Sequence, residues 1–365
     1  MTPAVIIDGL HVRAFTIPTD RPEADGTLSW DRTTIVLVEA SGGGRTGIGY
    51  TYASEMIGGL ITGKLAEVVT GGDALAPQAA WRAMQRAVRN LGRSGLAATA
   101  IAAVDTALYD LKARLLDVSL AALLGCYRDE VVIYGSGGFT SYTEADVEEQ
   151  LAGWVERDGC SLVKMKVGSE PARDPSRVRA VSRALDDRAT LFVDANGAYG
   201  VKQALRLSQR FAEQGVGWFE EPVSSDDLDG LRAIRERAPF GMEIAAGEYT
   251  YTLDDARTML AAEAIDVMQA DVTRCAGITG FLQIAALCEA HHIDLSGHCA
   301  PALHLHVACA APRLRHLEWF HDHVRIERML FEGAPVPRDG VIRPDLSRPG
   351  NGLAFKAQDA ARYAA

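Results

Sequence analysis

No cysteine in this chain stands in a CxxC pair. The six cysteines, Cys126, Cys160, Cys275, Cys288, Cys299 and Cys309, are scattered over 365 residues. Such scatter argues against a disulfide framework or a zinc finger and for free thiols in a reducing compartment. The start, Met1 to Asp8, has no basic segment followed by an apolar stretch, so no secretory signal is read there and a cytoplasmic location is expected. No apolar run approaches the roughly 20 residues that a membrane-spanning helix needs. Basic residues are in deficit as well: 37 Lys and Arg against 48 Asp and Glu give a formal net charge of −11. With no Lys/Arg-rich run to offset this, neither nucleic acid nor an anionic membrane is expected as a partner. An anionic small molecule would have to find its positive charge locally.

What the chain does have is a rhythm of short apolar runs, each ended by a charged residue. Ser161-Leu162-Val163 leads into Lys164 and Lys166, Leu191-Phe192-Val193 into Asp194, and Trp218-Phe219 into Glu220. Ile244 to Gly247 leads into Glu248, Ile265 to Ala270 into Asp271, Ile293 to Gly297 into His298, and His316-Leu317 into Glu318. From Lys166 onward these residues recur every 20–28 positions, about the length of one strand–helix unit. In a (β/α)8 barrel the functional groups sit at the C-terminal ends of different parallel strands and share one mouth. The pattern therefore predicts an α/β barrel whose mouth gathers two lysines, several carboxylates and a histidine.

The first part of the chain has a different texture. Residues 4–17 and 33–40 read as strands, Ser41 to Gly44 as a turn before Gly47–Tyr52, and 55–70, 77–91 and 95–116 as helices. A hairpin sheet followed by helices, set apart from the later alternation, predicts a separate α+β domain. Eight barrel strands are counted from Val131 to Leu317, with amphipathic stretches between them. After Glu318 the chain is expected to be irregular and to return to the N-terminal domain. The predicted division is 1–125 for the α+β domain, 126–325 for the barrel and 326–365 for the return.

Asp194, Glu220 and Glu248 form the strongest constellation. Three hard oxygen donors on adjacent strands suit Mg²⁺, which binds few protein carboxylates and leaves positions for water and substrate. Lys164 and Lys166 flank one residue, so both point to the same face of a strand, here the barrel interior. A cationic neighbour and partial desolvation are expected to lower their pKa toward neutrality, as a base requires. Asp271 and His298 end consecutive strands, where the carboxylate can fix the imidazole tautomer and raise its basicity. Glu318, among like charges, is expected to stay protonated and donate a hydrogen bond. The remaining histidines do not make a zinc site: His304 and His306 are two apart on a helix and diverge.

Together these residues resemble the enolase superfamily and, within it, the mandelate racemase subgroup. The matching stretches are Val163-Lys164-Met165-Lys166, Val193-Asp194-Ala195-Asn196, Trp218 to Pro222, Ala246-Gly247-Glu248, Asp271 with Gly277 to Gly280, and Gly297-His298 with Glu318 beyond. The resemblance covers nearly the whole chain and implies a modified (β/α)7β TIM barrel under an α+β capping domain. It implies that Asp194, Glu220 and Glu248 hold one Mg²⁺, with Asn196 and Glu221 supporting them. Lys166, assisted by Lys164, would be the base on one face of the substrate. His298, paired with Asp271, would act on the other face, and Glu318 would contact the substrate carboxylate.

The shared step so implied is removal of the proton α to a carboxylate. Two bases allow dehydration of an acid sugar to a 2-keto-3-deoxy acid, which is the favoured reading. Racemisation or epimerisation of a 2-hydroxy acid and opening of an acid-sugar lactone are the alternatives, and a sugar-acid-binding barrel without catalysis is the non-enzymatic one. The family's closing loops correspond to about 17–30 and 50–52, giving Arg21, Trp30, Tyr50 and Tyr52 as candidate substrate contacts. Ser136, Phe139 and Thr140 after the first barrel strand, and His321 beyond the last, are further candidates. A small carboxylate is the expected partner, and a homo-oligomer is expected by analogy with barrels of this type.

Overall fold

The computed structural model describes residues 4–365. The N-terminal sheet is a three-stranded antiparallel meander, β1 (Ile7–Ala24), β2 (Ser29–Gly42) and β3 (Arg45–Tyr52). Gly43 and Gly44 both take positive φ in the two-residue β2–β3 turn, a conformation glycine adopts without penalty. The apolar run Ile35–Val38 on β2 is buried on both faces because the sheet lies between two cores. Ile35 and Leu37 join Phe15, Ile17 and Tyr50 in the core shared with the barrel, whereas Val36 and Val38 pack against the capping helices. Alternation on a pleated strand divides one hydrophobic run between the two.

The alanine-rich helix Leu96–Leu115 is buried along most of its length, as its composition predicts. Small residues let β3 approach it closely. A Cβ on Gly47 would meet the backbone of Ala107 and Leu111, and one on Gly49 the backbone of Ala103 and Ala107.

Eight parallel strands follow: β4 (Val131–Gly137), β5 (Leu162–Lys166), β6 (Thr190–Asp194), β7 (Trp218–Glu220), β8 (Glu243–Ala246), β9 (Val267–Ala270), β10 (Asp294–Gly297) and β11 (Leu314–Phe320). They pair in sequence order, and β11 returns to pair with β4, closing the barrel. Helices connect successive strands, two of them opened by reciprocal Thr–Asp caps at Thr143/Asp146 and Thr252/Asp255. Tyr134, Phe192, Trp218, Ala245 and Val267 fill the barrel's lower interior, with the Phe192 and Trp218 rings stacked 5.0 Å apart. This apolar layer is the floor of the mouth.

Two sequence expectations need correction. The stretch after Glu318 is not irregular, because His321–Leu330 is a helix carrying Val324, Ile326 and Leu330 inward. Residues 17–30 are not an open loop: β1 and β2 extend as a hairpin to Ala24 and Ser29, with a register shift between Pro18 and Glu23. The prolines and charges there hid a strand that pairs along one edge only. Beyond the helix, Phe331–Glu332 pairs with Ala354–Phe355, Gly350 bridges Ser119, and Ala364 bridges Phe15 on β1.

Gly49→Val should force β3 off its helix and cost about 1–3 kcal/mol, the usual scale of overpacking. The check is a fall in the urea midpoint with an unchanged slope; a wild-type midpoint would show that the sheet and helix are not so tightly apposed.

Candidate active site

Strand register brings the site together. Lys166 on β5 lies beside Asp194 on β6, which lies beside Glu220 on β7. Lys164 is fully buried, with Nζ 2.5 Å from Glu220 Oε1, 2.9 Å from Glu318 Oε1 and 3.4 Å from Asp194 Oδ2. It also sits 5.4 Å above the Tyr134 ring, on the aromatic floor. Lys166 Nζ donates to Asp194 Oδ2 at 2.5 Å and borders the open cavity above. On the other side, His298 Nδ1 lies 2.8 Å from Asp271 Oδ2, which fixes the ring and leaves Nε2 toward the cavity. Thr273 supports Asp271 by donating its amide and hydroxyl to Oδ1, each at 2.7 Å. β5 and β10 are three strands apart around a ring of eight, so Lys166 and His298 approach one cavity of about 410 Å³ from different sides.

Asp194, Glu220 and Glu248 are all buried and offer one oxygen each within 4.8 Å of the others. Glu248 Oε2 accepts no hydrogen bond, although His298 Nε2 stands 3.3 Å away, and the amide oxygen Asn196 Oδ1 and the carboxylate oxygen Glu221 Oε1 are likewise without a partner. Unsatisfied buried acceptors are costly unless a cation completes them. The donor set, all oxygen and all anionic, fits a hard divalent cation. Asn196 and Glu221, each just past a strand end, hold positive φ without being glycine. Such local strain is typical where a chain must aim a side chain at a site.

Electrostatics here depart from the sequence expectation. Burial acts most strongly on Lys164 and favours its neutral form, yet Glu220, Glu318 and Asp194 outweigh it and hold its pKa well above the ordinary lysine value. Lys166 is raised too, for the same balance of burial against Asp194. Neither lysine is a free base in this arrangement. Glu318 is not protonated either: burial alone would raise it, but Lys164, His298 and Lys166 bring it well below the usual carboxylate range. All its close partners are donors, with Ser136 Oγ at 2.5 Å and the Cys299 amide at 3.1 Å. Burial and the adjacent Asp194 push Glu220 up to about 8. His298 is raised, since Glu248, Glu318 and Asp271 together overcome its burial.

The candidate substrate contacts divide. Trp30 and Tyr52 border the cavity, Tyr52 stacked on His323 with ring centroids 3.5 Å apart. Tyr50 does not: it is fully buried and its hydroxyl donates to Glu327 Oε1 at 2.6 Å. Tyr50 and Tyr52, two apart on β3, share a face, but Tyr50 lies deeper, its ring stacked on Phe331 at 5.0 Å. Arg21 turns away to Asp146, 2.7 Å distant, and His321 pairs with Asp20; both border a separate small cavity. Ser136 lies beneath the mouth, holding Glu318. Phe139 is buried against the edge of Trp30, and Thr140 donates to the Asp25 carbonyl. His304 and His306 diverge as expected, toward the Val272 amide and the Asn351 carbonyl.

Sequence reading missed three contributors. Arg274 bridges the two halves of the site, 3.1 Å from Glu248 Oε1 and 3.6 Å from Asp271 Oδ2. It sits three residues past Asp271, where a charged loop residue carried no special signal. Trp218 donates Nε1 to Glu220 Oε2 at 3.0 Å, although its apolar run suggested only core. Arg32 on β2 borders the cavity where Arg21 was expected to.

Cation binding should release protons at neutral pH, because the ion needs ionised Glu220, whose pKa stands near 8 in its absence. Below about pH 8 the proton competes, so apparent affinity should fall by up to roughly tenfold per pH unit and level off above. Calorimetric Mg²⁺ titration in two buffers of different ionisation enthalpy reads this directly; buffer-independent heats at pH 7 would contradict it.

Comparison with known proteins follows the same outline. The family model "Mandelate racemase / muconate lactonizing enzyme, N-terminal domain" matches residues 11–125, and "Enolase C-terminal domain-like" matches 146–360. A 3,6-anhydro-alpha-L-galactonate cycloisomerase from Streptomyces coelicolor is 31% identical over 98% of this chain and 99% of its own. An L-talarate/galactarate dehydratase from Salmonella typhimurium is 32% identical over 82% of this chain and 77% of its own. Among solved structures, a mandelate racemase/muconate lactonizing enzyme-like protein from Rubrobacter xylanophilus is 53% identical, with TM-score 0.96 over 98% of this chain and 99% of that one. A racemase from Streptomyces coelicolor A3(2) with bound magnesium is 30% identical, with TM-score 0.92 over 98% and 100%. With both halves matched and the barrel mouth assembled as described, the chain belongs to the enolase superfamily, in its mandelate racemase subgroup.

Proposed function

We propose that this protein is a Mg²⁺-dependent enzyme that removes the proton α to a carboxylate and dehydrates an acid sugar to a 2-keto-3-deoxy acid. The observation that carries the reading is the approach of Lys166 and the Asp271-oriented His298 to one cavity beside the carboxylate triad. Asp194, Glu220 and Glu248 would hold Mg²⁺, which when bound supplies Lewis-acid stabilisation of charge developing on the substrate carboxylate. Magnesium in a related racemase and dehydratase activity in a related protein support this.

The chain's own groups divide the remaining work. One base takes the α-proton and the other delivers a proton to the departing β-hydroxyl. Lys166 must shed its proton first, which requires that Asp194, one of the residues that would hold the cation, neutralise it less strongly. Lys164 keeps its charge as a counter-ion for Glu220 and Glu318, so it positions these groups and does not exchange protons. Glu318, anionic and fixed by Ser136 and the Cys299 amide, sets the lower boundary of the substrate-carboxylate region. At the rim, Arg32 is the capping sheet's cationic group that borders the cavity, and among the described residues its ion-pair partner is the neighbouring, exposed Asp31. A substrate with a second carboxylate would meet it, which favours aldarates over aldonates.

A second reading, cycloisomerisation of an acid-sugar lactone, is supported by the full-length similarity to a cycloisomerase. It needs only one base and one acid in the same places, and racemisation would use both bases on one carbon.

Incubation with Mg²⁺ and a panel of C5–C6 aldonic, aldaric and lactone substrates should yield a 2-keto acid from at least one diacid. Proton NMR in D₂O separates the readings, since α-deuteration with inversion and no keto acid would mean a racemase. Lys166→Ala and His298→Asn should each lower kcat by at least about 10²–10⁴-fold, the usual worth of a general acid or base, while Mg²⁺ still binds. Full activity in either variant removes that residue from the chemistry. Arg32→Ala should raise KM for a diacid and leave kcat for a mono-acid unchanged.

A further inference from the structure

A second group of metal-type donors lies where the capping hairpin crosses the barrel rim, apart from the carboxylate triad. Asp20 and Glu23 are on the far part of β1, and His321 opens the helix after β11. One ligand atom from each lies within 4.8 Å of the other two. His321 Nε2 is 3.0 Å from Asp20 Oδ2. Glu23 is fully buried; its Oε2 accepts from Trp30 Nε1 at 2.8 Å, and its Oε1 has no hydrogen-bond partner.

Among the described residues, no lysine or arginine pairs with either carboxylate. The neighbouring guanidinium groups are engaged elsewhere, Arg21 with Asp146 and Arg325 with Asp322 and the Pro18 carbonyl. Burial, followed by the Asp322 and Asp20 charges, pushes Glu23 up to about 8 against the opposing Trp30 hydrogen bond and Arg325 charge. Asp20 and His321 also border a cavity of about 180 Å³, which gives an ion a way in.

We infer that Asp20, Glu23 and His321 form a second divalent-cation site, suited to Zn²⁺, whose ion ties the capping hairpin to the barrel. Two carboxylate oxygens and one imidazole nitrogen, with room left for water, match zinc chemistry, whereas Mg²⁺ keeps to oxygen donors. The ligands come from two parts of the fold, so the ion restrains one against the other. Glu23 also holds Trp30, which edges the active-site cavity. Occupancy therefore fixes a wall of that cavity without entering it.

The test uses the full-length protein saturated with Mg²⁺, so that the triad is occupied, and titrates Co²⁺ as a spectroscopic substitute for Zn²⁺. One equivalent is expected, with visible d–d bands, no thiolate charge-transfer band, and displacement by Zn²⁺. His321→Ala should weaken binding by roughly 100-fold, and the shape-preserving Glu23→Gln by at least about tenfold, ligand losses being no milder than the 10–100-fold of outer-sphere partners. Circular dichroism and Mg²⁺ binding control for folding in both. A thiolate band would place the ion on His298, Cys299 and Glu318 instead. That result, wild-type affinity in His321→Ala, or no Co²⁺ uptake over Mg²⁺ would each overturn the inference.

Discussion

Charge balance among buried groups at the barrel mouth governs this structure. Asp194, Glu220, Glu221, Glu248, Asp271 and Glu318 are all buried there, and they face Lys164, Lys166, His298 and Arg274. Six carboxylates against four cationic groups leave two negative charges when all are ionised. Buried charges of one sign are not tolerated without compensation. Protonation meets part of the excess: the lysines keep their protons, and Glu220 and Glu221 are raised. A divalent cation meets it without those shifts. The same imbalance that makes the empty arrangement costly is therefore what gives it affinity for a metal.

The surrounding fold maintains this imbalance. The aromatic floor of Tyr134, Phe192 and Trp218 keeps water from below, and Trp218 spends its one donor on Glu220. The capping domain is held over the mouth by buried polar ties that tolerate little sliding. Asp105 accepts from the amide and hydroxyl of Thr279, Trp81 donates to the Ala276 carbonyl, and Tyr50 donates to Glu327. Tyr50 is thus a structural counterpart of the cavity-lining Tyr52: one tyrosine fastens the lid to the barrel, and the other faces what the lid covers.

Legibility from sequence followed covalent regularity. Strand ends were readable because a parallel strand buried on both faces is a short apolar run, and the charge that ends it stands out. That periodicity located Lys166, Asp194, Glu220, Glu248, Asp271 and His298 before any coordinates. Residues whose position depends on tertiary packing were not readable. Arg274 reaches back from a loop, Arg32 borders the cavity while Arg21 turns away to Asp146 on the extended β1–β2 hairpin, and His321–Leu330 is a helix where irregular chain is expected. Protonation was the least legible. The expected neutral Glu318 and low-pKa lysines assumed one dominant neighbour each, whereas Lys164 meets three carboxylates at once and Glu318 meets only donors.

The distinction between the two lysines follows from depth alone. Both lie on β5 and both face inward, but Lys164 is one strand repeat nearer the floor, enclosed by Glu220, Glu318, Asp194 and the Tyr134 ring. Losing its proton would leave Glu220 without its close cation and weaken the balance at Asp194 and Glu318 as well. Lys166 has a single close carboxylate partner, Asp194, and a side open to the cavity. Removing that one partner is enough to lower its pKa toward the range a base needs. A lysine with one close carboxylate partner and an open side fits the proposed role of base. One that neutralises three groups does not, and its contribution is to keep Glu318 anionic and to hold Glu318 and Glu220 in place.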